Sequence, residues 1–193
     1  MTGILGCYMG KEQEREKMLS YMKEKYGEEF RYLESYAGQF GKEYTAILAE
    51  SCSYPDRKVL VRLSLKEGEE CVEDNYLAWI LKGQIEQEMG SLAEECFGKC
   101  KICYQIPGFV FSNDLTPDTK VQDFLKNPYT LSRFQIYPEN TEGTCKEWEE
   151  RLEKFRLENV KRGYRIRGTI TILEADLLFS MDITGNFKYL RWL

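Results

Sequence analysis

Three cysteines near the middle of the chain have the spacing most suggestive of chemistry. Cys96, Cys100 and Cys103 follow a Cys-x3-Cys-x2-Cys pattern. Thiolates spaced in this way hold three irons of an iron–sulfur cluster and leave the fourth open. Such a loop is expected after the first strand of a large barrel, whereas this one follows a predicted helix in a short chain. We therefore expect structural thiols here and keep an iron–sulfur enzyme as a third hypothesis.

Adjacent carboxylates are the next candidates for chemistry. They form four pairs: Glu69-Glu70, Glu73-Asp74, Glu94-Glu95 and Glu149-Glu150. Two carboxylates held a few ångströms apart can cleave glycosides, but adjacent residues of a helix point in different directions. We expect solvated charge at these positions, with Glu73 and Asp74 capping a helix.

The chain contains no histidine among its 193 residues. This excludes Ser-His and Cys-His nucleophiles, His-ligated metal sites and imidazole acid–base catalysis. The sequence predicts no catalytic residue, no cofactor and no metal site. The net charge of −5 also makes nucleic acid a poor partner, because phosphate contacts supply most of that affinity.

Aromatic side chains are abundant and are expected mostly in the core. An exposed cluster of them would bind glycan or peptide by stacking. The aromatic residues considered are Tyr76, Trp79, Phe97, Tyr104, Phe109, Phe111, Phe134, Tyr137, Trp148 and Trp192.

The N-terminus raises the question of export. Ile4-Leu5-Gly6-Cys7 has the form of a bacterial lipobox, which makes Cys7 a candidate lipidation site. Only three residues stand before it, so the charged start and apolar middle of a signal are missing. Residues 1–10 are then either a residual anchor or signal fragment or a chance match. The seven cysteines are an odd number with irregular spacing, for which reduced thiols are the simplest interpretation.

A long amphipathic helix over residues 74–97 is the element around which the rest is predicted to pack. Apolar residues recur on one face at steps of three or four, as a helix requires. They are Leu77, Ile80, Leu81, Ile85, Met89 and Leu92.

The flanking segments predict further helices and strands. Helices are expected over residues 11–26, 116–127 and 144–162, the last opened by a Thr144–Glu147 capping box. Strands are expected over residues 30–36, 44–52 and 59–65 as a meander, and over 101–105, 108–111, 131–137, 164–172 and 186–193. The fold class is α+β, with an antiparallel or mixed sheet packed against the long helix and two or three further helices. Residues 11–193 form a single domain, or two similar lobes over 11–98 and 99–193.

Two segments carry a resemblance. Residues 17–30, which end in Lys-Tyr-Gly-Glu-Glu-Phe, and residues 74–79, Asp-Asn-Tyr-Leu-Ala-Trp, resemble a group of small lipoproteins and membrane-anchored proteins of Gram-positive bacteria. The resemblance covers about the first hundred residues. It implies an α+β domain held at the outer face of the membrane, and it brings no activity and no catalytic residue.

These observations lead to two leading hypotheses of function. The first is a non-catalytic binding or scaffold domain, tethered outside the membrane by a sequence ahead of Gly10, with a protein or envelope component as its ligand. The second is a cytoplasmic interaction module with reduced thiols. The sequence does not identify the ligand, the oligomeric state or the redox state of the cysteines.

Overall fold

A computed structural model describes residues 2–36, 44–140, 142–171, 178–182 and 187–190, with the backbone alone for 2–10, 178–182 and 187–190. The helices are α1 (Thr2–Tyr26), α2 (Tyr76–Phe97), α3 (Val121–Lys126) and α4 (Cys145–Arg162). The first strands are β1 (Phe30–Tyr36), β2 (Tyr44–Ser51), β3 (Lys58–Lys66) and β4 (Glu69–Asp74). The later strands are β5 (Cys100–Gln105), β6 (Ser132–Pro138), β7 (Ile166–Thr171), β8 (Leu178–Asp182) and β9 (Phe187–Leu190).

The strands form two sheets. The first has the order β1-β2-β3-β4 and is antiparallel throughout. The second has the order β5-β6-β7-β8-β9 and is mixed, because β6 and β7 run parallel while their neighbours are antiparallel. The connection between β6 and β7 contains α4, the kind of helical crossover that parallel strands require. The predicted α+β class is confirmed.

The chain divides into two compact units. Unit 1 comprises Met1–Ile80 and Gly108–Asp118, and unit 2 comprises Leu81–Pro107 and Thr119–Leu193. The alternative lobes of the sequence analysis met at residue 98, so their boundary differs from the observed one. The difference arises within α2, whose first turn belongs to unit 1, and in the segment 108–118, which pairs with unit 1 through a bridge between Asp74 and Phe111.

Unit 1 buries one face of its sheet against α1. Met18 and Met22, four residues apart on α1, are fully buried. They pack against the inward-facing residues of the strands, which alternate with outward-facing ones along each strand. The inward-facing residues of this cluster include Phe30, Ile47, Ala49, Val59, Val61, Leu63 and Val72.

Unit 2 has its own aromatic core and a well-defined helix. Trp148, Leu152 and Phe155 form the buried face of α4, and the ring of Phe97 stacks on that of Trp148. The Thr144–Glu147 capping box is confirmed, since the Thr144 hydroxyl accepts from the Glu147 amide and the Glu147 carboxylate accepts from the Thr144 amide.

Five predicted elements differ from the structure, and no strand was predicted where β8 lies. The helix expected over residues 116–127 begins at Val121, with Lys120 rather than Thr116 at the position before it and no side-chain cap. The helix expected over residues 11–26 begins at Thr2, so the backbone of residues 2–10 continues it. The three-stranded meander has a fourth strand, β4, whose acidic sequence was interpreted as solvated charge. The strand expected over residues 108–111 is reduced to the single Asp74–Phe111 bridge. The long helix begins at Tyr76, because Asp74 still belongs to β4.

Candidate functional site

A cleft of about 520 Å³ lies in unit 1 against α1, β1 and β2. Its volume falls within the range of small-ligand sites, about 300–1,000 Å³. Three tyrosines, Tyr32, Tyr36 and Tyr44, are among the residues that line it. The strand register puts the Tyr32 ring on the face of the sheet that packs against α1, and the rings of Tyr36 and Tyr44 on the other face. The remaining lining residues are Lys11, Glu12, Arg15, Met18, Ser35, Thr45, Ala46 and Ile47.

An irregularity in β1 decides which side chains reach the cleft. The register of β1 on β2 shifts between Tyr32 and Glu34, so that Tyr32 lies opposite Ala49 and Ser35 lies opposite Ile47. Without this bulge, residues 32 and 35 would face opposite sides of the sheet. With it, the hydroxyls of Tyr32 and Ser35 are 3.1 Å apart. The bulge therefore places two β1 hydroxyls at one wall of the cleft.

Most charges at the cleft are already paired. The Arg15 guanidinium donates to Glu12 at 2.9 Å, and its central carbon lies 4.9 Å from the centre of the Tyr32 ring. The Thr45 hydroxyl donates to Glu14 at 2.7 Å. Lys11 is exposed and has no ion-pair or hydrogen-bond partner within the part of the chain that the structure describes. On its α1 side the cleft thus offers the Tyr32 ring, hydroxyls and a positive charge that has no partner in the described part of the chain.

A second recess of about 420 Å³ shares Tyr44 and Thr45 with the cleft. Its other lining residues are Glu14, Leu63, Ser64, Leu65 and Glu70. Glu70 forms an ion pair with Lys17. Leu65 is 61% exposed, so this recess presents an apolar side chain to solvent.

The carboxylate of Asp74 connects α1 to the rest of unit 1. One oxygen accepts from the Tyr26 hydroxyl at 2.7 Å and from the Tyr76 amide at 2.8 Å; the other accepts from the Lys25 ammonium at 2.8 Å. The backbone oxygen of Asp74 accepts from the Phe111 amide at 2.8 Å. A single buried residue therefore contacts α1, the start of α2 and the segment 108–118.

Ionisation at this cluster follows from its burial and its charges. Burial by itself would lower the pKa of Lys25, but the Asp74 carboxylate and the hydrogen bonds to Asp74 and Tyr21 outweigh it and raise that pKa. Burial, followed by the negative charge of Asp74, raises the pKa of Tyr26 far above its ordinary value. The lysine therefore stays charged and the phenol stays protonated as donors to Asp74.

The segments 17–30 and 74–79, singled out in the sequence, meet at this cluster. Besides the contacts of Asp74 with Lys25 and Tyr26, the Tyr76 hydroxyl donates to Glu28 at 2.6 Å. The ring of Tyr76 meets those of Tyr26 and Phe30 edge-on, each at 5.0 Å between centroids. Gly27 adopts a φ of 70°, which glycine takes without strain as the helix ends. The two segments, about 50 positions apart in the chain, thus pack directly against each other.

Glu73 is also buried, which corrects the interpretation of the Glu73-Asp74 pair as solvated charge. Its carboxylate accepts from Arg62 at 2.6 Å and from Lys66 at 2.5 Å, and its side chain is 3% exposed. Burial alone would raise the pKa of Glu73, but these hydrogen bonds and charges outweigh it and hold the pKa below its ordinary value. The pairs Glu69-Glu70, Glu94-Glu95 and Glu149-Glu150 are exposed, as predicted.

Unit 2 uses its charges to complete backbone hydrogen bonding at an edge strand. The Glu86 carboxylate accepts from the Tyr104 amide at 2.9 Å, and the Lys82 ammonium donates to the Tyr104 carbonyl at 3.1 Å. Lys82 and Glu86 are themselves an ion pair at 2.9 Å.

A second contact in unit 2 involves Glu88 and Tyr164. The Glu88 carboxylate accepts from the Tyr164 hydroxyl at 2.6 Å, and burial together with this hydrogen bond raises the pKa of Tyr164 to about 12.

The cysteines singled out by spacing do not form a metal site. Within the described residues, no three His, Cys, Asp or Glu side chains are arranged to hold a metal ion. Cys96 is buried, whereas Cys100 and Cys103 are half-buried. Burial raises the pKa of the Cys96 thiol and raises that of Cys100 to about 11, which opposes the thiolate form that iron requires. The Cys7 side chain lies outside the described residues.

The aromatic residues named from sequence mostly lie in the cores. Tyr76, Phe97, Tyr104, Phe111, Phe134 and Trp148 are buried, whereas Trp192 lies outside the described residues. Sequence reasoning missed the three tyrosines of the cleft, because a hydrophobic pattern alone does not separate one wall of a cleft from a core. Tyr36 and Tyr44 lie at the ends of β1 and β2, whereas Tyr32 pairs with Ala49 before the bulge. The bulge that turns Tyr32 and Ser35 to the same face has no signal in the sequence.

Comparisons with known proteins add little to this picture. No protein-family model matches the chain, and no curated protein is similar to it. In the described residues, no helix is both long and apolar enough to span a bilayer. The chain is similar to a DUF5037 family protein from Ruminococcus gnavus ATCC 29149 of known crystal structure, at 14% identity over 87% of this chain and 75% of that chain. The TM-score of 0.37 is too low for this likeness to carry an argument.

Proposed function

We propose that this protein is a non-catalytic binding domain at the outer face of a bacterial membrane, and that the cleft of unit 1 takes its ligand. The observation that carries the binding role is the cleft itself, whose volume suits a small ligand. Its lining on the α1 side includes the ring and hydroxyl of Tyr32, the hydroxyl of Ser35 and Lys11, a cation that has no partner among the described residues. Clefts of this kind hold ligands by stacking and a few polar contacts. The resemblance to small lipoproteins, with Cys7 as the candidate anchor, supports the location.

Binding to isolated bacterial envelopes tests the binding role. Tyr32 and Tyr54 are matched probes, since an arginine guanidinium lies over each ring, at 4.9 and 3.8 Å from its centre, and only Tyr32 of the two lines the cleft. We expect the full chain to sediment with washed envelopes, and we expect Tyr32→Ala to weaken the binding about two- to tenfold, the value of one aromatic contact. The Tyr54→Ala control should bind like the wild type. No sedimentation of the wild type, or equal losses in the two variants, would refute the proposal.

The location is tested separately by thiol labelling of intact cells that make the chain. Cys52 and Cys145 are exposed free thiols, so a membrane-impermeant maleimide reaches them if the domain is outside. We expect labelling of intact cells that is lost in a Cys52→Ser/Cys145→Ser variant. Labelling only after lysis would place the domain inside the cell.

A cytoplasmic interaction module is the second candidate. The observation in its favour is that the six cysteines with described side chains are all free thiols, as is usual in a reducing compartment. In that case the cleft would bind an intracellular partner, and the impermeant maleimide would label only lysed cells.

A further inference from the structure

We infer that two copies of this chain pair through the free edge of β1, in antiparallel orientation about a two-fold axis at Tyr32. The inference assigns a partner to a strand edge and does not depend on which ligand the cleft takes. Three features support it: unpaired backbone groups along this edge, a bulge that sets its faces, and side-chain charges that are complementary between two copies.

The backbone of β1 has hydrogen-bonding groups that point away from β2. β1 is an edge strand of the sheet β1-β2-β3-β4. The Cys52 amide donates to the Glu29 carbonyl at 2.9 Å, and hydrogen-bonded and non-hydrogen-bonded pairs alternate along an antiparallel ladder. Phe30 and Tyr32 therefore form non-hydrogen-bonded pairs with β2, and their N–H and C=O groups point to the free edge. Within the described residues these groups have no hydrogen-bond partner.

The bulge continues this open edge beyond Leu33. Leu33 has no partner on β2, and the ladder resumes at Glu34. Since β2 itself pairs with β3 without interruption, Ser35 is again in a non-hydrogen-bonded pair, and its backbone groups also point outward. The extra residue puts the side chains of Arg31 and Glu34 on the same face of the sheet, the one away from α1. In an unbroken strand they would lie on opposite faces.

One antiparallel register brings these features together. If Tyr32 lies opposite Tyr32 of a second copy, Arg31 of each copy lies opposite Glu34 of the other. Phe30 then lies opposite Ser35 in the same way. The outward-pointing backbone groups of Phe30, Tyr32 and Ser35 face one another as hydrogen-bonded pairs, with about six hydrogen bonds in all. Opposite charges directly across two strands stabilise the pairing.

Arg31 and Glu34 are available for these ion pairs. The Arg31 side chain is 69% exposed and donates to Glu50 through Nε and Nη2, which leaves Nη1 for another acceptor. Glu34 is exposed, and no ion pair or hydrogen bond engages it within the described part of the chain. The side chains of Tyr32 and Leu33 are half-buried, and a second copy would cover more of them.

The edge strand of unit 2 is arranged differently. At β5, Lys82 and Glu86 occupy backbone groups of Tyr104, which protects an edge from pairing. Among the described residues no side chain does this for Phe30 or Tyr32. A second copy also brings the same bulge at the matching place, so it meets both the spacing and the charges of this edge.

Sedimentation velocity of the full chain at increasing concentration tests the inference. We expect the wild type to pass from one chain to two and no further, because a pairing about a two-fold axis is closed. Glu34→Arg places like charges opposite each other and should weaken the dimer about tenfold. Glu69→Arg is the control, since Glu69 is an exposed carboxylate on the same face but at the opposite edge of the sheet. It should dimerise like the wild type.

Mixing two variants makes the test specific to the register. Arg31→Glu and Glu34→Arg each repel a copy of themselves, whereas one copy of each restores both pairs of opposite charge. We expect an equal mixture to form a mixed dimer with about the affinity of the wild type. Ser35→Pro is an independent variant, because proline removes an amide that the pairing needs and is tolerated at a sheet edge. It should also weaken the dimer. Circular dichroism verifies that each variant is folded.

The other outcomes overturn the inference. A wild type that stays a single chain up to millimolar concentration has no such interface. A dimer that is indifferent to Glu34→Arg and Ser35→Pro uses another surface, and a mixture of folded variants that does not recover refutes the register. If the dimer fails while binding to envelopes persists, the proposed function stands. A covalent adduct with a second copy has the mass of two chains, so it is distinguishable from an adduct with a ligand of the cleft.

Discussion

At the scale of single residues, Asp74 is a buried carboxylate whose charge is compensated by several partners. Its carboxylate is 1% exposed and relies on Lys25, Tyr26 and the Tyr76 amide for its hydrogen bonds. Removing one partner of a buried ion pair costs about 3–5 kcal/mol, since the other charge is left uncompensated. We expect Asp74→Asn to lower the free energy of unfolding by about that amount, measured by urea denaturation.

Glu69→Gln is the matched control for this prediction, since Glu69 is an exposed carboxylate of the same strand. Substitutions at such positions usually change stability by no more than about 0.5 kcal/mol. An Asp74→Asn variant as stable as this control would show that the network around Asp74 is dispensable.

Glu73 predicts how the stability of the protein depends on pH. The pKa of Glu73 is lower in the folded state than in an unfolded chain, where it is about 4.3. Its interactions with Lys66 and Arg62 therefore stabilise the fold above that value, and the stabilisation is lost as the pH falls through the lower, folded-state pKa. We expect Glu73→Gln to cost about 1–3 kcal/mol at pH 7.

The same variant should approach the wild type in acid. Urea unfolding at a series of pH values from 7 to below 4 follows the difference between the two proteins, with Glu69→Gln as the control. A difference that stays constant over this range would contradict the assignment of the lowered pKa to Glu73.

At the scale of elements, the sheet of unit 2 has a protected edge. β5 is an edge strand, and Lys82 and Glu86 of α2 engage both backbone groups of Tyr104. Unpaired edge groups invite pairing with another chain. We expect the Lys82→Ala/Glu86→Ala variant to self-associate in a concentration-dependent way, measured by size exclusion with light scattering. The control variant Glu94→Ala/Glu95→Ala, on the exposed side of the same helix, should have the molar mass of the wild type at every concentration. If the Lys82→Ala/Glu86→Ala variant does so too, the edge needs no protection and the prediction is wrong.

The elements also show which parts of the fold could be predicted from the sequence. The capping box at Thr144 and the alternation of Val59, Val61 and Leu63 are local signals, and both elements form as predicted. β4 was missed because Glu73 and Asp74 are polar residue types, and their burial depends on partners in other elements, such as Lys25 of α1 and Arg62 of β3. The β1 bulge was missed for the same reason, since register is a property of two strands.

At the scale of the whole molecule, the two units differ in what they offer to a ligand. In unit 1, α1 is held through the contact of Lys25 with Asp74, and a cleft lined by hydroxyl-bearing and charged residues lies against this helix. In unit 2, Trp148 and Phe155 are buried in the core. The cleft arises from α1, β1 and β2 together and could not be predicted from any one segment.

Photocrosslinking in cells that make the protein tests the central claim, the occupation of the cleft, most directly. A photoreactive benzoylphenylalanine replaces Ser35, an exposed residue of the cleft, in one variant and Ser53, an exposed residue that does not line it, in the other. If the cleft holds a ligand, irradiation yields a covalent adduct of increased mass from position 35 and little from position 53. Equal yields from the two positions, or no adduct from position 35, would contradict the account.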